Sequence, residues 1–411
     1  MRQESSSVSH KEVIDTKFGS ARSDAWTSTN GSAKSYFVKD QMDNGFNPSS
    51  CFAGATPYTI YYTLNPRTLV HTLQGIYMKI WVTNSSGGAI TTLPAQFWLS
   101  RFLHQPQGTV ATNELYPIEA YVKDNLSSNP RQAFYDGLTT YTDNDPSAAA
   151  STFAMFTSST SVANAATSTF WYRVPDPYSE ARIPLAFIDE NNAPKLQFEV
   201  STTFQNTGGD FTCTAIDIYL FGTRYTPAVL SGLRAVYSVY PLVLRTILIK
   251  RNYVNINWTA ATASSIFNIE NIDGKSAFLM FYSLPTPLTD INQITDGAGG
   301  LQQFTSLSFQ TADREYYCQK DIPEDILQRV WPRTIPSPGF FYGSRRFYIL
   351  PFTQNLTETL GFHLDRGSCQ ISDNCTIQIT PTATLANCRL YMVNFCYGAL
   401  ILKGGVFDLV G

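Results

Sequence analysis

Thr72-Leu-Gln-Gly-Ile-Tyr-Met-Lys-Ile-Trp-Val82 sets Ile76, Met78, Ile80 and Val82 on one side of an extended chain, and Tyr77, Lys79 and Trp81 on the other. A period of two marks a strand, because successive side chains of a β-strand point to opposite faces. The same alternation returns in Lys195-Leu-Gln-Phe-Glu-Val200 and Cys375-Thr-Ile-Gln-Ile-Thr380, and another long strand is predicted from Arg389 to Tyr397. Strand-like runs also cover Thr214 to Phe221 and Tyr237 to Arg251. Clusters of Gly, Pro, Asn and Ser bound these runs, as half-buried antiparallel strands joined by turns require. Their number predicts an all-β sandwich or jelly roll and not an α/β fold.

Few helices are expected. Ser9-His-Lys-Glu12 has the form of a capping box, opening a short helix with Val13, Ile14 and Phe18 on its apolar side. A second helix is predicted from Asp321, with Pro323 in its first turn, Ile326, Leu327 and Val330 along it, and Pro332 ending it. Residues 141–168, rich in Ser, Thr, Ala and Asn, and residues 284–300, ending in Asp296-Gly-Ala-Gly-Gly300, read as exposed loops. A divide is expected near 224–240. It gives an N-terminal arm at 1–35 and two units at 36–230 and 231–411, each long enough for eight strands and their loops.

Of the 411 residues, 43% are hydrophobic, which allows a large core. Charged residues reach only 15%, against about 25% in an average soluble domain, while aromatics reach 14%. Two readings fit. Tyr, Phe and Trp favour strands in general, and a surface poor in charge also suits a protein whose outside is covered by neighbours. The net charge of -3 argues against direct coating of nucleic acid, and so does the lack of any Lys/Arg run longer than Lys250-Arg251 or Arg345-Arg346. Residues 1–12 are polar throughout, so no secretory leader is expected, and no stretch of about 18 apolar residues occurs. The seven cysteines (51, 213, 318, 369, 375, 388 and 396) are odd in number and scattered, as expected of a reduced compartment.

Four of these cysteines fall between 369 and 396, which raises a zinc site. The geometry opposes it: Cys388 and Cys396 on one face of one strand would stand about 26 Å apart at about 3.3 Å per residue, too far to share an ion. Buried thiols, or one disulfide between neighbouring strands, are expected instead. His10, His71, His104 and His363 form no metal-binding spacing, and the sequence holds no nucleophile elbow or phosphate loop. His363 reads as a structural histidine. Asp143-Asn-Asp145-Pro146 reads as an Asx turn and not a calcium loop. The sequons at Asn84 and Asn355 are expected by chance in a chain this rich in Asn, Ser and Thr. No catalytic residue, cofactor site or metal ligand is predicted, and the chain is not expected to be an enzyme.

The run Phe170-Trp-Tyr-Arg-Val-Pro175, then Tyr178-Ser-Glu180 and Lys195-Leu-Gln-Phe-Glu199, resembles the middle of the major capsid proteins of tectivirus-type phages. Ser265-Ile-Phe-Asn-Ile-Glu-Asn271 is similar to the start of that family's second jelly roll. The predicted helix at 322–331, then Pro338-Gly339, Tyr342 and Tyr348, resembles its helix-then-strand passage, and Asn387 to Tyr397 its last strand. The matches are collinear over roughly 165–400. The resemblance implies two consecutive eight-stranded jelly rolls and a homotrimer of nearly hexagonal outline that tiles an icosahedral shell around an internal membrane. It also implies minor capsid and vertex (penton) proteins as partners, lipid approached through the N-terminal arm, no direct contact with nucleic acid, and folding in the host cytoplasm before assembly into the virion. A carbohydrate-binding β-sandwich, such as a viral spike or adhesin, is the alternative; it requires aromatics gathered on an exposed sheet face. A cupin-type enzyme would need clustered His and Glu ligands.

Overall fold

The predicted alternations become paired strands in the computed structural model, but the run expected from Tyr237 is strand only from Leu242, Tyr237 being the end of a helix. The structure describes residues 33–40, 47–48, 58–64, 69–85, 87–92, 99–105, 113–115, 119, 123, 160–174, 176–200, 211–237, 239–258, 263–286, 301–315, 322–323, 347–356, 359–360, 365–382 and 384–410. The first half holds β1 (Ala33–Asp40), β2 (Tyr58–Thr63), β3 (Thr72–Asn84), β4 (Ile90–Thr92), β5 (Leu99–Gln105), β6 (Asn113–Leu115), β7 (Thr160–Val162), β8 (Thr167–Val174), β9 (Lys195–Val200) and β10 (Phe211–Tyr225). One sheet has the order β1-β10-β3-β8, a second β2-β9-β5-β6, and β4 pairs with β7 alone.

The second half holds β11 (Leu242–Trp258), β12 (Ser265–Asn268), β13 (Gly274–Pro285), β14 (Phe304–Gln310), β15 (Ile322–Pro323), β16 (Tyr348–Pro351), β17 (Cys369–Ile371), β18 (Thr376–Pro381), β19 (Leu385–Lys403) and β20 (Val406–Val410). Its sheets run β11-β19-β13-β16, extended by β17 and β20, and β12-β18-β14-β15. Setting aside the short additions β4, β7, β17 and β20, both halves follow one rule. The first, eighth, third and sixth strands form one sheet, and the second, seventh, fourth and fifth form the other. This is the jelly-roll order, and it occurs twice.

The register explains why the alternation was readable. Ile80 lies opposite Ile216, Met78 opposite Ile218 and Ile76 opposite Leu220, so the apolar faces of β3 and β10 coincide. They close on Ile60, Tyr62, Leu196 and Phe198 of the facing sheet in one cluster. On the other face of β3, Lys79 lies over the Trp81 ring at 4.7 Å. Tyr77, expected to face outward, is buried, because its ring lies across the space that Gly75 leaves open.

Between β8 and β9 the chain forms α1 (Pro177–Ala181). Asp176 caps it, its carboxylate accepting from the Ser179 N–H at 2.7 Å, Pro177 stands at the first turn, and Arg182 ends it with φ of 56°. Such a cap contributes about 1 kcal/mol. A longer helix, α2 (Pro227–Tyr237), joins the halves, so the expected cut between 230 and 231 falls inside it. The first strand begins at Ala33, inside the expected arm. Lys34 and Ser35 break any apolar alternation there, yet the residues pair with Arg224 and Thr223. Ile322 and Pro323, expected to open a helix, instead pair with Leu307 and Ser306. Their neighbours 324–346 and the capping box at Ser9 lie outside the described residues. Residues 160–162 and 167–168 of the expected loop are strand, and 141–159 lie outside the described residues.

Among the described glycines, backbone approaches most closely at Gly222, beside the irregularity between Phe221 and Gly222 in the β10–β3 ladder. A Cβ there would lie 2.0 Å from the Thr72 carbonyl oxygen and 2.4 Å from Val70 Cγ1. Gly222→Ala is therefore expected to lower unfolding stability by about 1–3 kcal/mol, the usual cost of overpacking, read as a lower urea midpoint. An unchanged midpoint would show that β3 and β10 can part to admit a methyl group.

Candidate functional site

The residues singled out for chemistry are dispersed. Cys388 and Cys396 both lie on β19, Cys369 on β17, and Cys375 just before β18; with Cys213 these are free thiols. Burial pushes the Cys369 and Cys396 thiols up to about 11, so they behave as small apolar groups. Cys51 and Cys318 lie outside the described residues. Among the described residues, no three His, Cys, Asp or Glu side chains gather closely enough to hold a metal ion. His71 Nδ1 accepts the Tyr225 N–H at 3.0 Å, and burial, with Arg224 and Arg234 nearby, lowers its pKa. It is a neutral structural histidine. His104 is on β5; His10, His363 and Asp143 to Pro146 lie outside the described residues. Asn84 is buried and donates from Nδ2 to the Gly88 carbonyl at 2.7 Å, so its amide is spoken for within the fold.

What the chain does bring together is a junction. The β11-β19-β13-β16 sheet is covered on both faces. One face sets Leu279, Phe281, Leu390, Met392 and Trp258 against Phe304, Leu307, Phe309, Ile377 and Ile379 of its own roll. The opposite face, with Phe278, Met280, Tyr282, Val393, Phe395 and Ile249, belongs to the same cluster as Ile76, Tyr178, Ile183 and Leu185 of the first roll. Phe278 and Phe395 stack at 4.0 Å between ring centroids, and Tyr282 and Tyr391 at 4.7 Å. The helix α1 touches both β3 and β11, acting as a wedge between the rolls.

A buried ion pair pins this apolar seam. Glu119, fully buried, accepts from the Tyr282 hydroxyl at 2.6 Å and from Arg251 Nη1 at 3.2 Å. The Arg251 guanidinium also lies over the Tyr391 ring at 4.9 Å. The carboxylate comes from the first roll and its partners from β11 and β13 of the second, so the contact fixes how the rolls sit together. Sequence reading did not find it. The available signal was a charged pair, Lys250-Arg251, directly after the apolar run Ile247-Leu-Ile249.

Each roll also presents an edge. β2 and β12 are the second strands of their rolls and stand at the edge of equivalent sheets. Each carries a large apolar residue turned outward, Tyr61 at 58% exposure and Ile266 at 67%. Unpaired edges with outward apolar groups are surfaces suited to being covered.

No protein-family profile and no curated protein sequence matches the chain. Solved structures do share the arrangement. VP54 of PBCV-1 superposes with a TM-score of 0.67 at 13% identity, covering 92% of this chain and 96% of that one. The Faustovirus major capsid protein gives 0.63 at 9% identity, covering 90% and 91%, and the STIV major capsid protein 0.52 at 12%, covering 89% and 96%. At these identities the likeness is one of fold. The chain has the double-jelly-roll fold found in viral major capsid proteins, and the likeness runs through both rolls.

Two outcomes test the junction. Glu119→Gln is expected to cost about 3 kcal/mol, since removing one partner leaves the other charge buried alone. Combining it with Arg251→Met should cost less than the two single changes added together, read by denaturant unfolding as a double-mutant cycle. Burial, and then the Glu119 charge, holds the Tyr282 hydroxyl well above tyrosine's usual value of 10.0. A raised folded value means its stabilisation is complete below pH 10 and lost as pH climbs further. Stability should therefore fall above about pH 10, and Tyr282→Phe should make that fall shallower by up to about 1.4 kcal/mol per pH unit.

Proposed function

We propose that the chain is a major capsid protein. It would assemble as a homotrimer of nearly hexagonal outline that tiles the icosahedral shell of a tailless virus with an internal membrane. The observation that carries this reading is the twice-repeated strand order, matched over nine-tenths or more of both chains in VP54 of PBCV-1 and the Faustovirus major capsid protein. Two eight-stranded units side by side give each subunit two similar lobes, so three subunits present six, which is what a six-coordinated lattice position needs. The seam supports the same role, because a shell block must hold its two lobes at one angle under load.

In this reading the units are the arm ahead of β1, a first roll through β10 and a second roll from β11, with α2 as the link. The subunit binds its own copies through the flanks, including the β2 and β12 edges, and then neighbouring trimers, minor capsid proteins and vertex proteins. It folds in the host cytoplasm and resides in the virion shell. It carries out no catalysis. With a net charge of -3 it would leave contact with the genome to other components.

Mass in solution tests the reading. Sedimentation equilibrium should give a species of about 137 kDa, three chains of 45.8 kDa. A monomer that persists at high protein concentration would overturn it.

A further inference from the structure

The link between the rolls is tied at both ends to one residue. His71 stands directly before β3, and its Nδ1 accepts the Tyr225 N–H at 3.0 Å. Tyr225 ends β10, and α2 opens just beyond it, with the Leu230 N–H donating to the Thr226 carbonyl at 3.0 Å. The His71 carbonyl accepts the Ala186 N–H at 3.2 Å, and the Ala186 carbonyl in turn accepts Arg234 Nη2, from the last turn of α2, at 3.3 Å. His71 thus holds the entrance of the helix through its ring and the far end through its backbone. Its own N–H donates to the Thr223 carbonyl at 2.9 Å, and the Tyr225 ring stacks on the imidazole, which keeps the ring in place.

A ring nitrogen that accepts an N–H carries no proton, so the neutral imidazole has its hydrogen on Nε2. A second proton would set one N–H against another at Tyr225 and end that bond. The charges nearby oppose the proton too. Arg224 on β10 and Arg234 on α2 both act on the ring, and Lys34 of β1 stands opposite Arg224 in register. Lys79 is the charged residue of β3, further along the strand. Arg182 precedes Ile183, whose carbonyl accepts the Leu73 N–H. The 3-10 turn Leu185–Phe187 bears no charge. Beyond it come Asp189, its carboxylate lying against Gly405 of the β19–β20 turn, and the exposed Glu190. In the second roll, Asp365 is held by Lys275, and Asp408 lies on β20. Burial, and then the two arginines, lower the His71 pKa from its ordinary value of 6.5.

We propose that His71 is an acid-sensitive latch on the link between the rolls: uncharged it clamps α2 at both ends, and protonated it releases Tyr225 and the start of the helix. Histidine suits this because its charge changes between about pH 5 and 8, above the range of ordinary carboxylates. A lowered folded value means that the latch's contribution is complete above pH 6.5 and is lost as pH falls from there through the folded value. Glu119 and the apolar seam hold the rolls together by other contacts. Acid therefore loosens the link ahead of the cores. The latch belongs to the single subunit and does not depend on the coat-protein reading.

Urea unfolding of the full-length protein at about pH 7 and about pH 5.5 brackets the histidine range. Protonation of this one ring should raise the unfolding equilibrium constant by up to about tenfold over that interval. His71→Gln, whose amide oxygen can accept the same N–H without titrating, should lack that part of the rise. Hydrogen exchange at the Tyr225 amide, corrected for its intrinsic rate, should lose protection at the lower pH in the wild type and keep it in His71→Gln. Exchange of the imidazole C2 hydrogen, followed by mass spectrometry, reads the titration of His71 in the wild type and needs no variant. It should give a midpoint below 6.5. A midpoint at or above that value sinks the latch, as does a Tyr225 amide equally protected at both pH values. A His71→Gln protein that keeps the full acid loss of the wild type places the sensitive group elsewhere.

Discussion

Everything in this molecule depends on one sheet having water on neither side. The β11-β19-β13-β16 sheet of the second roll is packed against its own roll on one face and against the first roll on the other. An antiparallel sheet in a sandwich usually keeps one face wet and shows it as alternation along each strand. Here β13 is buried without interruption from Ser276 to Leu284. Each large side chain on the second face adds about 1.5–3 kcal/mol by leaving water. The energy of a roll–roll contact thus resembles that of a core more than that of a docked surface.

Apolar packing of this kind is strong but indifferent to small rotations, and that is where Glu119 matters. Taking a carboxylate out of water is costly, and the pair with Arg251 roughly offsets that cost without a large surplus. Its contribution is direction: Glu119 reaches Tyr282 and Arg251 together in one relative placement of the rolls. The wedge α1, capped by Asp176 and turned by Arg182, sets the spacing of the same seam.

Alternation was plainest in the sequence where one face of a strand is wet. Lys195 to Val200, Thr72 to Val82 and Cys375 to Thr380 could be placed because period two survives wherever water takes every other side chain. The duplication was not legible, because it lives in which strands pair across the chain, and the side chains of the two rolls differ. The seam left a different trace. Ala277-Phe-Leu-Met-Phe-Tyr282 and Thr246-Ile-Leu-Ile249 are unbroken runs, and an unbroken run in an all-β chain signals cover on both sides. Ile322 and Pro323 misled, since a proline ahead of an apolar run fits a helix start as well as the end of a short edge strand. Glu119 was invisible for a simpler reason: a lone carboxylate has no periodicity, and its partners are more than a hundred residues away.

The shared core has a consequence for how such a chain can change over generations. A gene fragment encoding only the second roll would display Phe278, Met280, Val393 and Phe395 to solvent, an oily plane that invites aggregation. Neither half can be exchanged by recombination unless the incoming half brings a matching plane and a partner for Arg251. Exchange of one roll alone would therefore break the seam, whereas insertions in the connections between strands would leave it untouched.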